Sequence, residues 1–306
     1  METGYGFGKT ILFGEHFVVY GLPAIASAIS NKTIAEIDSA DEFTFIDERP
    51  ETPGYKVKKK DEIQRQLGAL KNHFKKDNVR IKLSGDLACA SGVGASAALA
   101  ASIARAYNQH LKLNLTDEEI NDVAFLAECA GSGKASGIDN TCSVYGGFII
   151  FEKNLPGGKN IMEKIPVDKP INIVMASSGI TQTTKEVVDD VRRLKEKNPE
   201  KFGEIFIQYR SVFDEAVNAL EAGDNVRLGQ LMDANQKLLT EMTLSCHEID
   251  EIISLAKDAG ALGAKLTGTG RGGTVIALTP DASIQDDVLA AIQDSGYKAV
   301  KTSVGT

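Results

Sequence analysis

The 306-residue chain lacks several features that would classify it early. Its four cysteines, Cys89, Cys129, Cys142 and Cys246, form no CxxC pair. That removes the usual zinc and dithiol patterns and leaves reduced thiols in a cytoplasmic protein as the expectation. No apolar run approaches the roughly 18–20 residues of a membrane span. Positive charge is in deficit: 34 Lys and Arg against 42 Asp and Glu give a net charge of −8, a poor match to nucleic-acid phosphates. The opening METGYGFGKT has no basic segment leading into an apolar one, so no secretory leader is expected. There is no repeat at solenoid periods. With 25 % charged and 42 % hydrophobic residues the composition is globular, and the length suits one large domain or two ordinary ones.

What is there is a succession of short apolar runs, helical patterns and glycine-rich loops. Residues 10–20, TILFGEHFVVY, read as strand, turn, strand, and residues 32–47 and 79–83 read as further strands. Between them DEIQRQLGALKNHFKK has helical spacing and a basic end. An alanine-rich helix is expected from Ala95 to about Gln109. Thr116 and Glu119 form a capping box that starts another, reaching about Cys129. A Gly/Ser loop, GSGKASGID, precedes a strand in GGFIIFE, and strands are expected again in INIVMA and TVIALT. The composition shift over 155–169 places a boundary between expected domains 1–165 and 166–306.

Three loops are rich in glycine. In the first, Gly8-Lys9-Thr10 ends like a P-loop, but position 3 is Thr3 where the motif needs glycine, and a strand follows instead of a helix. The second, Gly92-Val93-Gly94-Ala95-Ser96-Ala97, fits a relaxed dinucleotide fingerprint. The acid at the right distance, Asp117, lies in a helix cap and not after a strand, which argues against NAD. The loop still suits phosphate: glycines admit close approach, and a helix start offers N–H groups. A plain tight turn with Ser96 as a capping residue explains it equally well. The third, Gly268-Thr269-Gly270-Arg271-Gly272-Gly273, can form an anion nest with a guanidinium beside it.

Glu128 and Asp139 flank the GSGKASGI loop, and Lys9 sits between a glycine and an apolar strand. Phosphoryl transfer uses such parts: an acid for Mg²⁺, an acid near the acceptor hydroxyl, and a lysine against the developing charge. Solvated surface ions are the competing reading for each. Glu15 and His16 sit in a turn between apolar runs, where a histidine is more often a structural hydrogen-bonding group than a ligand. His73, His110 and His247 have no metal-like spacing.

The motifs GKTILFGEHFVVYG, ASGVGASAAL and KLTGTGRGG, in this order, resemble those of the GHMP kinases. With SGIDNTCSVYGG and TTKEVVDDVR, the chain is most similar to the branch that phosphorylates mevalonate. The resemblance implies an α+β fold, with an N-terminal ribosomal-protein-S5-like domain and a C-terminal ferredoxin-like domain. By motif position Ser91, Gly92, Val93, Gly94 and Ala95 would wrap the ATP phosphates, with Gly268, Gly270 and Arg271 closing the phosphate side. Ser96 would join that loop and, with Glu128, hold Mg²⁺. Asp139 would act on the acceptor hydroxyl as base or orienter beside Lys9, and Glu15, His16 and Thr184 would bind the acceptor. The family also suggests a cytoplasmic homodimer without nucleic-acid or membrane partners.

The chain departs from the family pattern at four places. Phe7 stands where proline usually precedes Gly-Lys, Ala95 replaces the first of two serines, Ala135 replaces a proline, and Arg271 replaces a glycine. None removes the lysine or the two acids. A kinase acting on another small alcohol, such as a sugar or homoserine, and a non-catalytic nucleotide sensor remain as alternatives.

Overall fold

The computed structural model describes every residue except Ser91, Lys134 and Lys159. In chain order the first elements are β1 (Glu2–Phe13), β2 (Ala24–Ser39), β3 (Thr44–Asp47), α1 (Tyr55–Lys58) and α2 (Lys60–Phe74). Then come β4 (Val79–Gly85), α3 (Ala95–Leu111), α4 (Asp117–Ser132) and α5 (Ile138–Tyr145). They are followed by β5 (Phe148–Glu152), β6 (Ile161–Ile165), β7 (Ile171–Ser177), α6 (Thr184–Lys197) and α7 (Pro199–Ala222). The last are α8 (Asn225–Glu241), α9 (His247–Asp258), β8 (Gly263–Thr267), β9 (Thr274–Leu278), α10 (Ala282–Asp294) and β10 (Lys298–Val304).

Contacts divide these elements into two units, Met1–Lys9 with Ala28–Gly146 and Thr10–Ser27 with Gly147–Thr306. The partition is discontinuous and differs from the expected break at 155–169. Its cause is strand pairing: Ala24–Ser27 of β2 bond to β5, and β5 bonds to β6, so the first turn of the chain groups with the C-terminal elements.

In the first unit, glycine at every second position of β1 has a steric cause. A side chain on Gly4 would meet the Ser102 carbonyl oxygen at 2.2 Å, and one on Gly6 would meet that of Ala98 at 2.4 Å. The bare face of the strand lets α3 lie directly on it, and α3 answers with alanine. Thr33–Ser39 of β2 run antiparallel to β4, which is parallel to β3, with α2 as the crossover. Helices α2, α3 and α4 bury a common core of Leu67, Leu70, Leu99, Ile103, Ile120 and Val123 against these strands.

The second unit carries an antiparallel sheet in the order β10-β7-β9-β8. Its first strand in sequence lies between the fourth and the third, with α10 joining the last two. This is the ferredoxin-like arrangement expected from the resemblance. Helix α8 packs on β8, and α7 packs on α8.

Three local expectations change. The VVY run is the end of a 3₁₀ turn, Phe17–Tyr20, because Gly14 (φ 110°) and Gly21 (φ 81°) bend the chain on either side. Phe17 then stacks on Tyr209 at 3.8 Å. The span 32–47 is two strands, interrupted between Ser39 and Thr44. Asp139 does not lie in a loop before a strand: it occupies the first turn of α5, whose i,i+4 pair Ile138 and Cys142 is buried.

Gly6→Ala should cost about 2–3 kcal/mol, the overpacking expected against helix backbone. Gly68→Ala in α2, where an added Cβ meets nothing within 4 Å, should add about 0.5–1 kcal/mol through helix propensity. Urea unfolding of both variants checks the pair, and similar midpoints for the two would remove the steric account.

Candidate functional site

Strand β1 delivers Lys9 to a buried position, where its backbone N–H donates to the Val93 carbonyl at 2.9 Å. This bond ties the second glycine loop to the strand. A Cβ on Gly94 would meet the Lys9 backbone nitrogen at 3.2 Å and its Cγ at 2.9 Å, and Gly94 has φ 72°. Glycine is therefore needed there twice over, for conformation and for space. Gly94 is also the N-cap of α3, which has no side-chain cap, so the first-turn amides point their dipole out of the helix start. Ser91 lies outside the described residues.

The Lys9 Nζ reaches the Asp139 carboxylate at 3.1 Å. The lysine is buried and the acid is partly exposed, so this acid has one side on the ammonium and one side open. Ser96 does not cap its helix. Its hydroxyl donates to Glu128 Oε1 at 2.6 Å, and the Gln66 amide donates to Ser96 Oγ at 2.7 Å and to Glu128 Oε1 at 2.5 Å. A cavity of about 310 Å³ is lined by Glu128, Ser132, Ser136, Gly137, Asp139 and Asn140, among others.

Burial pushes Glu128 up to about 6 from an ordinary 4.5; Ser96 and Gln66 oppose this, while the charges of Asp139 and Glu62 add to it. The carboxylate is thus desolvated and faces other anions. Among the described residues no group of three or more His, Cys, Asp or Glu could hold a metal ion. One carboxylate and one hydroxyl, both hard oxygen donors, do fit a Mg²⁺ that takes its remaining ligands from phosphate and water.

In the second unit the turn after β1 carries Glu15 and His16. Glu15 was expected to touch the acceptor, but its side chain is fully buried against Lys265, with Nζ at 2.5 Å. The lysine also donates to the Leu266 carbonyl at 2.7 Å. Burial pulls the Lys265 ammonium below its usual range, and the Glu15 charge works against that. The residue that follows the ion pair, His16, is held at φ 63°.

The His16 Nε2 lies 2.6 Å from the Thr269 carbonyl oxygen. A carbonyl can only accept, so Nε2 carries the hydrogen and Nδ1 keeps a lone pair in the neutral ring. Burial lowers the His16 pKa, opposed by the bond to Thr269 and assisted by the charge of Arg271. The Thr269 hydroxyl pairs with that of Thr184 at 2.8 Å. Thr269 therefore joins two of the residues expected to bind the acceptor.

Arg271 was expected to face phosphate. Its guanidinium instead bonds Asp190 at 2.8 Å and the Thr243 carbonyl and hydroxyl at 3.0 and 3.1 Å. Gly268 and Gly270 have φ 91° and 79°, and a Cβ on Gly270 would meet the Leu244 carbonyl at 2.8 Å. Gln66, Lys265 and Thr269 were missed by sequence reasoning. Only Lys265 carried a signal, as a lone charge in the apolar run ALGAKLTG.

Family models match the chain twice: GHMP kinases N terminal domain over residues 61–147, and GHMP kinases C terminal over residues 216–298. The mevalonate kinases of Thermococcus gammatolerans and Pyrococcus furiosus are each 34% identical, with 97% of this chain and 94% of the relative covered. The crystal structure of L. major mevalonate kinase in complex with R-mevalonate matches with TM-score 0.93 and 36% identity, covering 99% of this chain and 96% of that one. The Methanococcus jannaschii mevalonate kinase shares the fold, with TM-score 0.81 at 23% identity, over 99% of this chain and 98% of that one.

Glu128 generates a stability prediction. Its folded-state pKa lies above the unfolded value, so the folded protein binds this proton more tightly. Stability is therefore lost as pH rises from about 4.5 through about 6, a gap worth about 2 kcal/mol. In metal-free and nucleotide-free protein, Glu128→Gln should raise the melting temperature at pH 7.5 and lose that advantage near pH 4.5. Parallel melting curves for both proteins across this range would contradict the assignment.

Proposed function

The chain belongs to the GHMP kinase family, and from that membership we propose that it transfers the γ-phosphoryl group of ATP to the 5-hydroxyl of mevalonate, giving 5-phosphomevalonate and ADP. The observation that carries this reading is the Lys9–Asp139 pair at 3.1 Å, with Ser96 on Glu128. An amine and an acid in contact, near a glycine-rich helix start and a second acid, are the parts an in-line phosphoryl transfer requires.

In this reading the amides of Gly92, Val93, Gly94 and Ala95 bind phosphate oxygens at the start of α3. Ser96 and Glu128 would hold Mg²⁺, which would supply positive charge to the phosphate oxygens. Asp139 accepts the hydrogen bond of the acceptor hydroxyl and orients its oxygen toward phosphorus. As the new O–P bond forms and the bond to ADP breaks, the hydroxyl proton passes to Asp139. Lys9 keeps Asp139 in position and offsets charge on the transferring group. Within the second unit, His16, through Nδ1, and Thr184 are the residues proposed for acceptor binding, and Gly268 and Gly270 those proposed for phosphate, each by motif position. The same membership carries the expectation of a cytoplasmic homodimer.

Asp139→Asn should lower kcat by about two to four orders of magnitude, the range of general acid–base contributions, with little change in the KM for ATP. Turnover close to that of the unaltered enzyme would remove Asp139 from the chemistry. Release of ADP scored over mevalonate, galactose and homoserine identifies the acceptor. ATP binding without turnover on any of them would point to a nucleotide sensor.

A further inference from the structure

Arg271 occupies a place where its backbone is unfavourable. It has φ 54°, and its neighbours Gly270, Gly272 and Gly273 also have positive φ. Glycine adopts this region without penalty, whereas a residue with a Cβ does not. An arginine kept here must gain through its side chain, and that side chain makes three directed bonds: to Asp190 in α6, and to the carbonyl and hydroxyl of Thr243 just beyond α8. Its backbone N–H adds a fourth, to the Leu244 carbonyl at 2.6 Å.

Helix α6 needs such help. Of its 14 residues only Val187 and Val191 are buried, too little apolar surface to hold a helix of this length. Polar contacts to the third glycine loop compensate at three levels. Ahead of the helix, the Gly273 N–H donates to the Ile180 carbonyl at 2.8 Å. At its first turn Thr184 pairs with Thr269. Six residues further on, Asp190 meets Arg271. The same loop receives His16 at the Thr269 carbonyl.

We infer that Arg271 is a positioning residue: with Asp190 it latches α6 onto the third glycine loop, and so fixes Thr184 and Thr269 relative to His16. A half-exposed ion pair contributes little to global stability, and backbone strain offsets part of that. The effect is local: the latch sets how often the first turns of α6 open. Its kinetic consequence rests on the proposed acceptor reading, while its structural consequence does not.

Amide hydrogen exchange on the full ligand-free chain tests it, with steady-state kinetics on the same proteins. In Arg271→Gly and Asp190→Ala, exchange over residues 184–191 should quicken by about tenfold while the melting temperature moves by no more than about 2–3 °C. Arg271→Lys should fall between, because an ammonium reaches Asp190 but lacks the fork that also takes Thr243. The double variant should exchange no faster than Arg271→Gly alone. In the kinetics, the KM for mevalonate should rise about fivefold with the KM for ATP within about twofold. Unchanged exchange over α6 in Arg271→Gly would overturn the latch. A rise confined to the KM for ATP would also overturn it, by assigning the guanidinium to the nucleotide. If the unaltered protein does not phosphorylate mevalonate, the acceptor reading fails, and the exchange data still decide the latch.

Discussion

The approach of β1 to α3 is the constraint on which the first unit's chemistry depends. Strand and helix lie so close at Gly4 and Gly6 that an added carbon would collide with backbone oxygen. That distance brings the end of the strand alongside the start of the helix, where Lys9 bonds Val93 and its stem lies under Gly94. From there the lysine reaches Asp139 on α5. A glycine pattern that reads like a phosphate loop is thus a packing device, and it positions the lysine that follows it.

Two buried glutamates show how environment divides labour between identical side chains. Glu15 has a fully buried ammonium at 2.5 Å and anchors the turn that carries His16. Breaking such a pair would leave an uncompensated buried charge, so the pair adds to the bend that Gly14 and Gly21 give the turn. Glu128 has a hydroxyl and an amide but faces other anions, and its proton affinity rises accordingly. The first arrangement pairs its charge with an ammonium of the protein itself. The second leaves a desolvated carboxylate near other anions, which costs stability while the group is ionised.

Much of the candidate site was legible in the sequence because its residues sit at motif positions. Lys9, Ser96, Glu128 and Asp139 each stood beside a glycine loop or a helix end, and the structure brings them into two contacting pairs. The capping box at Thr116 and Glu119 is present as expected, since it depends on local spacing alone. What escaped depends on distant segments. Gln66 lies in the middle of an amphipathic helix, 30 and 62 residues from its partners Ser96 and Glu128, and nothing nearby marks it. Glu15 and Arg271 were seen, but their partners Lys265 and Asp190 lie 250 and 81 residues away and turn both side chains to other duties. The short helix α5 was hidden because its eight residues directly follow a Gly/Ser loop.

The imidazole of His16 has consequences as a filter of polarity. With one nitrogen fixed as donor to a main-chain oxygen, the ring shows its surroundings a lone pair and nothing else. Under the proposed acceptor reading, an alcohol would complete a hydrogen bond at that nitrogen, whereas its aldehyde counterpart would set one electron pair against another.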